Sequence, residues 1–264
     1  MRNILLTLSY DGTDFCGWQR QDDAAGGEAF RTVQGEVERA LEKIHGQTTA
    51  VYGSGRTDSG VHALAQAANF YSPVKSMPAE NYVRAVNAFL PRDVRVTAAR
   101  EVPADFNARK NATSRVYRYF ISFEDDVPAS TSRYAWRVRN YSPDLNHLNS
   151  LCDCLRGECD CTSFCASGDG SLSMSRYIDD AHFFLQKDIF GKNLLVFQIE
   201  ANAFLWKMVR TLTGTLVTLD KSRAPDDSLR KIMERRDRTA AGVTAPPDGL
   251  FLYEIKFDGV RRHQ

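Results

Sequence analysis

Arg56 and Asp58 stand two residues apart within Gly53-Ser54-Gly55-Arg56-Thr57-Asp58-Ser59-Gly60-Val61-His62-Ala63. Glycines alternating with Ser, Thr and Asp rule out a helix or strand interior and mark a loop. The loop runs straight into the apolar stretch Ala63–Phe70. A cation and a carboxylate on a loop delivered by flanking strands can grip a polar substrate. An ionised aspartate can also act as nucleophile or general base near neutral pH. The same residues read as well as an Asx-type turn, in which the Asp carboxylate caps nearby backbone amides. His62 is expected to be a neutral imidazole that satisfies loop backbone.

The cysteines form the other concentration of reactive side chains. Cys16 stands apart, while Cys152, Cys154, Cys159, Cys161 and Cys165 fall within 14 residues. Their spacings, C-x-C, C-x4-C and C-x-C, differ from the paired C-x2-C of common zinc modules. An odd group also suits no disulfide framework, so the five are expected to be reduced, metal-free and packed as small apolar residues.

Charge gives a weaker signal. The formal net charge is +1 over 264 residues, so bulk electrostatics points to no nucleic acid. Local mixtures do: Arg109, Lys110, Arg115 and Arg118 with Tyr117, Tyr119 and Phe120; Arg133, Arg137 and Arg139 around Tyr134 and Trp136; and Arg235, Arg236 and Arg238. Basic residues interleaved with aromatics fit an RNA surface, and equally fit solvated faces with anchoring rings.

The elements that must carry these residues follow from periodicity. Met1–Tyr10 places Ile4, Leu6, Leu8 and Tyr10 on one face and meets Asp11-Gly12, so it reads as a first strand rather than a signal peptide. Val33, Val37, Leu41 and Ile44 recur at helical spacing over 33–45. Strands at about 49–53 and 63–71 bracket the glycine-rich loop. A helix from Pro78 to about Phe89 and a strand over Val94–Val102 complete a β-α-β-β-α-β half. A second half repeats the order: strand Thr113–Phe123, helix Pro143–Leu155, strands Ser175–Gln186 and Asn193–Ala201, helix Ala203–Leu219. An extra helix Pro225–Glu234 and a last strand Gly249–Phe257 follow. On the 203–219 helix, Leu205, Val209, Leu212 and Leu216 make an apolar face, with Lys207, Arg210 and Gly214 opposite. The segments 21–31 and 237–248 are expected to be mobile. The 43% hydrophobic content suffices for a substantial core. No apolar run approaches the roughly 18 residues that span a bilayer.

Taken together, the motifs resemble the TruA family of tRNA pseudouridine synthases. Gly55-Arg56-Thr57-Asp58-Ser59-Gly60-Val61-His62-Ala63 looks like that family's catalytic loop. Tyr10-Asp11-Gly12…Gly17-Trp18-Gln19-Arg20-Gln21, with Val33-Gln34, is similar to its opening element, and Asn87-Ala88-Phe89-Leu90-Pro91 to a later turn. Phe106-Asn107-Ala108-Arg109…Arg115-Val116-Tyr117-Arg118-Tyr119, Phe204…Met208-Val209-Arg210 and Ala245-Pro246-Pro247-Asp248-Gly249-Leu250 match further blocks in order. Ser59 stands where the family usually has Ala, and Cys159-Asp160-Cys161 where it has His-Asp-Phe. The loop after Gln21 is long.

The resemblance implies an α+β pseudouridine synthase fold: two ferredoxin-like halves, 1–105 and 106–264, with mixed, mainly antiparallel sheets and a central active-site cleft. It implies an isomerase that converts uridine to pseudouridine at positions 38, 39 and 40 of the tRNA anticodon stem-loop. A cytoplasmic homodimer is implied, with no cofactor, no nucleotide and no metal. Asp58 would be the catalytic carboxylate, whether it attacks C1′, attacks C6 or removes a sugar proton. Arg210 would be its charge partner, because a buried carboxylate stays ionised only beside a cation. Tyr117 would stack on the uracil and help remove the C5 proton. Arg56 would act as wedge or phosphate clamp when the base leaves the stack, and Leu252 would line the base pocket. A catalytically silent RNA-binding protein and a zinc-stabilised module are the rival classes; the intact Asp58, Tyr117 and Arg210 oppose the first, and metal analysis decides the second.

Overall fold

The computed structural model describes residues 1–21 and 30–260. Residues 22–29 of the loop expected to be mobile lie outside the described residues. The elements in chain order are β1 (Arg2–Tyr10), α1 (Val33–His45), β2 (Val51–Gly53), β3 (His62–Ser72), α2 (Asn81–Asn87), β4 (Val94–Val102), β5 (Ser114–Ser122), α3 (Ala129–Ser132) and β6 (Trp136–Arg137). Then come α4 (Leu145–Cys152), β7 (Gly157–Asp160), β8 (Ser175–Lys187), β9 (Asn193–Ala201), α5 (Met208–Lys221), α6 (Ser228–Arg235) and β10 (Leu250–Lys256). The fold is α+β with a mostly antiparallel sheet, and the chain divides into two compact units.

The first unit is Met1–Thr113 with Leu252–Asp258. Its strands run in the order β4-β1-β3-β10, with β2 paired to β3. β1 lies antiparallel to both β3 and β4. The alternation read in β1 is realised: Ile4, Leu6 and Leu8 are fully buried. Ile4 pairs with Phe70 of β3, and the Phe70 ring meets His45 of α1 at 5.7 Å and Tyr82 of α2 at 5.1 Å. Both helices therefore cover that face. On the other face Leu5, Ala67, Val102 and Ala108 form a second cluster with Phe106, Ile255 and Phe257. Helix α1 has the bounds its spacing predicts, since Thr32 accepts from the Gly35 N–H and Gly46 closes the end in the left-handed conformation.

Among the described residues, the second unit is Ser114–Phe251 with Gly259 and Val260. Its strands run β5-β9-β8-β7, all neighbours antiparallel, with β6 parallel to β5. Tyr119, Phe197 and Phe183 line up across three strands, and the two phenylalanine rings stack at 4.7 Å. Helices α4 and α5 are joined through Asp220, which is 1% exposed. Its carboxylate accepts from the Tyr141 hydroxyl at 2.8 Å and from His147 Nδ1 at 2.8 Å.

Several expectations need correction here. Helix α5 starts at Met208, not Ala203, because Lys207 before it adopts a left-handed φ of 60°. The apolar spacing of Phe204 and Leu205 continues the helical period through a corner where the backbone leaves the helix. Gly214 is buried beneath the Val243 carbonyl rather than presented on an open polar face. The segment 237–248 is not loose. It is strapped along α5: Gly242 N–H donates to Thr215 Oγ1 at 3.0 Å and Arg238 to Thr244 Oγ1 at 2.9 Å. The short strand β7, inside the cysteine cluster, carries no alternation long enough to announce it.

Candidate active site

The loop around Asp58 joins β2 to β3, which pair antiparallel through Gly53 and Ala68. Past the last pair, Ser54 N–H donates to the Ala67 carbonyl at 2.8 Å. Gln66, fully buried in the apolar run, grips Gly55 from both sides. Its Oε1 accepts the Gly55 N–H at 3.3 Å and its Nε2 donates to the Gly55 carbonyl at 2.7 Å. Sequence reasoning passed over Gln66; an amide in the middle of Ala63–Phe70 is the signal that could have found it.

The residues on either side of Asp58 are anchored by the opening element of the chain. The Thr57 hydroxyl shares a 2.8 Å hydrogen bond with Tyr10, and the Thr57 carbonyl accepts from Trp18 N–H at 3.1 Å. Phe15 offers its carbonyl to Ser59 Oγ at 3.1 Å and to Gly60 N–H at 3.3 Å. The serine that departs from the family thus adds a tie. A turn closes from Val61 N–H to the Asp58 carbonyl at 3.1 Å. Such close packing of two loops requires bare backbone. Gly17 has φ +95°, and a Cβ there would lie 2.6 Å from the Thr57 carbonyl oxygen; one on Gly12 would lie 2.0 Å from that of Val61. His62 is fully buried, and its Nδ1 accepts the Gly12 N–H at 3.0 Å. The Asp11 carboxylate lies 3.3 Å from the same nitrogen, so the ring ties the opening segment to the loop. Asp58 is half-buried and Arg56 exposed. Burial drives the Tyr10 phenol far above its ordinary pKa, so it stays a protonated hydrogen-bonding group. Leu252, on β10 in the same unit, is fully buried.

Tyr117 and Arg210 belong to the second unit. Tyr117 sits mid-strand on β5 opposite Ile199 of β9 and is 7% exposed. Its ring meets Phe204 edge to face, with centroids 5.0 Å apart at 84°. Arg210 lies in the first turn of α5 and is fixed by the strap: its Nε donates to the Ala245 carbonyl at 2.8 Å, while Ala245 N–H donates to the Arg210 carbonyl at 3.1 Å. Neighbouring Tyr119 donates its hydroxyl to the Pro246 carbonyl at 2.7 Å. Burial first of all raises that phenol, and the Arg210 charge works in the opposite direction. The block Ala245–Leu250, read only as a motif, is thus the part that orients Arg210.

The family model described as tRNA pseudouridine synthase matches residues 7–109 and 151–258. The chain belongs to the tRNA pseudouridine synthase family. Among its relatives, the tRNA pseudouridine synthase A of Treponema denticola is 52% identical over 256 residues, covering 97% of this chain and 93% of its own length. That of Treponema pallidum is 47% identical, covering 92% and 84%, and that of Brachyspira hyodysenteriae 41%, covering 97% and 99%.

Within this tRNA pseudouridine synthase, the loop carrying Asp58, the Arg210 turn and Leu252 all fall in the matched stretches, while Tyr117 falls between them. In the cysteine region several sulfurs reach backbone carbonyls. Cys159 Sγ donates to the Leu155 carbonyl at 3.1 Å, Cys154 Sγ to that of Leu151 at 3.4 Å, and Cys165 Sγ to that of Ala166 at 3.4 Å. Among the described residues no three His, Cys, Asp or Glu side chains converge to hold a metal ion. Burial pushes the Cys154 and Cys165 thiols up to about 11 and that of Cys161 up to about 12.

Proposed function

We propose that this chain isomerises uridine to pseudouridine at positions 38, 39 and 40 of the tRNA anticodon stem-loop, with Asp58 as its catalytic carboxylate. The observation that carries the reading is the held loop. Thr57 on one side of Asp58 and Ser59–Gly60 on the other are tied to Tyr10, Phe15 and Trp18, so the carboxylate is presented from a fixed backbone. Fixed geometry is what a catalytic group needs to attack or deprotonate a nucleotide already flipped from the stack.

The reaction balances within the substrate. The C1′–N1 bond breaks, a C1′–C5 bond forms, the C5 proton leaves to solvent, and N1 gains one. No external oxidant, reductant or group donor enters. Asp58 supplies the nucleophile or base, Tyr117 stacks on the uracil, and Arg210 keeps the carboxylate ionised. Arg56, exposed on the same loop, clamps the RNA, and Leu252 lines the base pocket. Family resemblance supports a homodimer acting in the cytoplasm and two ferredoxin-like halves, 1–105 and 106–264. The deciding experiment incubates the purified chain with unmodified tRNA transcripts and maps pseudouridine. New pseudouridine at 38, 39 or 40 is expected; its absence from every transcript overturns the reading.

A further inference from the structure

The corner between β9 and α5 presents a large aromatic ring where the mechanism above makes no use of one. Trp206 is 44% exposed, whereas Leu205 before it is 4% exposed and Met208 after it fully buried. Its backbone is firmly held. The Trp206 N–H donates to Asp169 Oδ2, and its carbonyl accepts from Ala166 N–H at 3.0 Å. Asp169 is itself fixed, accepting from Ser171 N–H at 2.7 Å. Lys207 follows in a left-handed conformation, φ 60°, that a side-chain-bearing residue rarely adopts. That conformation puts the Lys207 ammonium 4.7 Å from the indole centroid.

The neighbourhood is that of the candidate site. Phe204, two residues earlier, packs edge-on against Tyr117, and Arg210 lies four residues later in the first turn of α5. One short, rigid segment therefore carries a support for Tyr117, the exposed indole, a cation on that indole, and Arg210.

We propose that Trp206 is a nucleobase-stacking platform, with Lys207 as its phosphate-pairing cation, that holds an unpaired nucleotide of tRNA beside the uridine being isomerised. The assignment rests on the reading of the chain as a tRNA pseudouridine synthase. A part-exposed indole with an ammonium beside it is the pair that grips single-stranded RNA, the ring taking a base and the cation the backbone. A pre-fixed indole backbone lowers the ordering cost of that grip. A purely packing role would call for apolar bulk alone, which leucine supplies without a stacking face.

The test compares Trp206→Ala, Trp206→Leu and Trp206→Phe in the full-length chain, with kcat, KM and equilibrium binding measured on a tRNA transcript. Loss of one stack is expected to raise KM and Kd about 5- to 100-fold in the Ala and Leu variants. Turnover should stay within about twofold, and Phe should restore binding to within a few-fold. The chain has three tryptophans, so the tRNA-induced fluorescence quenching should shrink in Trp206→Phe relative to wild type. Wild-type KM and Kd in Trp206→Ala, or rescue by Leu equal to that by Phe, overturns the proposal. Should the Ala variant misfold, the Leu–Phe difference decides. An active wild type with insensitive variants defeats the Trp206 assignment alone; an inactive wild type defeats the functional reading and this inference with it.

Discussion

Asp58 sits between anchored neighbours, and the ties on either side run through Thr57, Ser59 and Gly60. Replacing its carboxylate by an amide of the same size should leave that backbone in place. Asp58→Asn is therefore expected to lower isomerisation by at least about a thousandfold, because a neutral amide is neither nucleophile nor base near pH 7. tRNA affinity should change by less than about threefold, since binding spreads over many phosphate and stacking contacts. Tritium release from C5-labelled tRNA and filter binding on the same variant check both halves. Wild-type-like release removes Asp58 from its role, and joint loss of binding and activity makes it a loop-holding turn residue. At this scale the sequence spoke clearly where residues are adjacent: Arg56, Asp58 and the glycines announce a loop, and His62 is buried against its backbone as expected. It did not show that Gln66, Tyr10 and Trp18 hold that loop. The Tyr10–Thr57 bond joins residues 47 apart, and spacing along the chain does not say which distant side chains meet.

At the scale of elements, the loop and the opening segment form one packed unit whose closest approach is at Gly17. An alanine there must adopt φ +95° and bring its Cβ to 2.6 Å from the Thr57 carbonyl oxygen. Gly17→Ala is expected to cost about 2–4 kcal/mol and to lower activity by displacing the Asp58 backbone. An unchanged urea midpoint would show that the loops are not packed this tightly. The cysteine-bearing stretch from α4 to α5 gives a second element-scale expectation. With Cys152, Cys159, Cys161 and Cys165 buried, and the Cys154, Cys161 and Cys165 thiols raised to about 11, 12 and 11, thiol reagents at pH 7.5 should label this cluster only after unfolding. Stoichiometric zinc in the purified chain, with unfolding on chelation, would contradict the expected metal-free state. Helix α1 was legible to the residue because a threonine cap and a left-handed glycine bound it. The start of α5 was not, because apolar spacing persists through Phe204 and Leu205 while Lys207 turns the backbone away. The strap over 238–247 looked loose because Gly, Pro and Thr have no period. Its order comes from Arg210, Thr211 and Thr215, which lie elsewhere in the sequence.

For the molecule as a whole, strand and helix order gave the α+β class, while strand adjacency escaped it: β10, last in the chain, lies beside β3. Global stability against pH should carry the signature of two histidines, one in each unit, shifted in opposite directions. His45 of the first unit is packed against Phe70 and Tyr82, and burial lowers its pKa. Between that lowered value and about 6.5 the unfolded chain binds the proton that the folded one refuses, so stability rises with pH. His147 of the second unit faces Asp220 Oδ1 at 2.8 Å and the Ala224 carbonyl at 2.7 Å, one acceptor on each ring nitrogen. Neither oxygen has a proton to give, so the arrangement calls for the imidazolium. Burial opposes that charge, but the hydrogen bonds to Asp220 and Ala224, with the charges of Asp220 and Asp226, outweigh it and raise the pKa. Its stabilisation is complete below about 6.5 and is lost as pH rises through the raised folded value. Depressed carboxylates such as Asp188 act in a separate window: burial opposes their ionisation, hydrogen bonds from Thr131, Lys192 and Phe190 favour it, and their contribution is lost only as pH falls below about 4. The urea midpoint is therefore expected to peak near pH 6.5, with His45→Gln flattening the acid limb and His147→Gln the alkaline one. If the two units unfold separately, each limb should follow its own transition. A profile that His147→Gln leaves unchanged above pH 6.5 would show that the α4–α5 link does not hold a proton in the folded state.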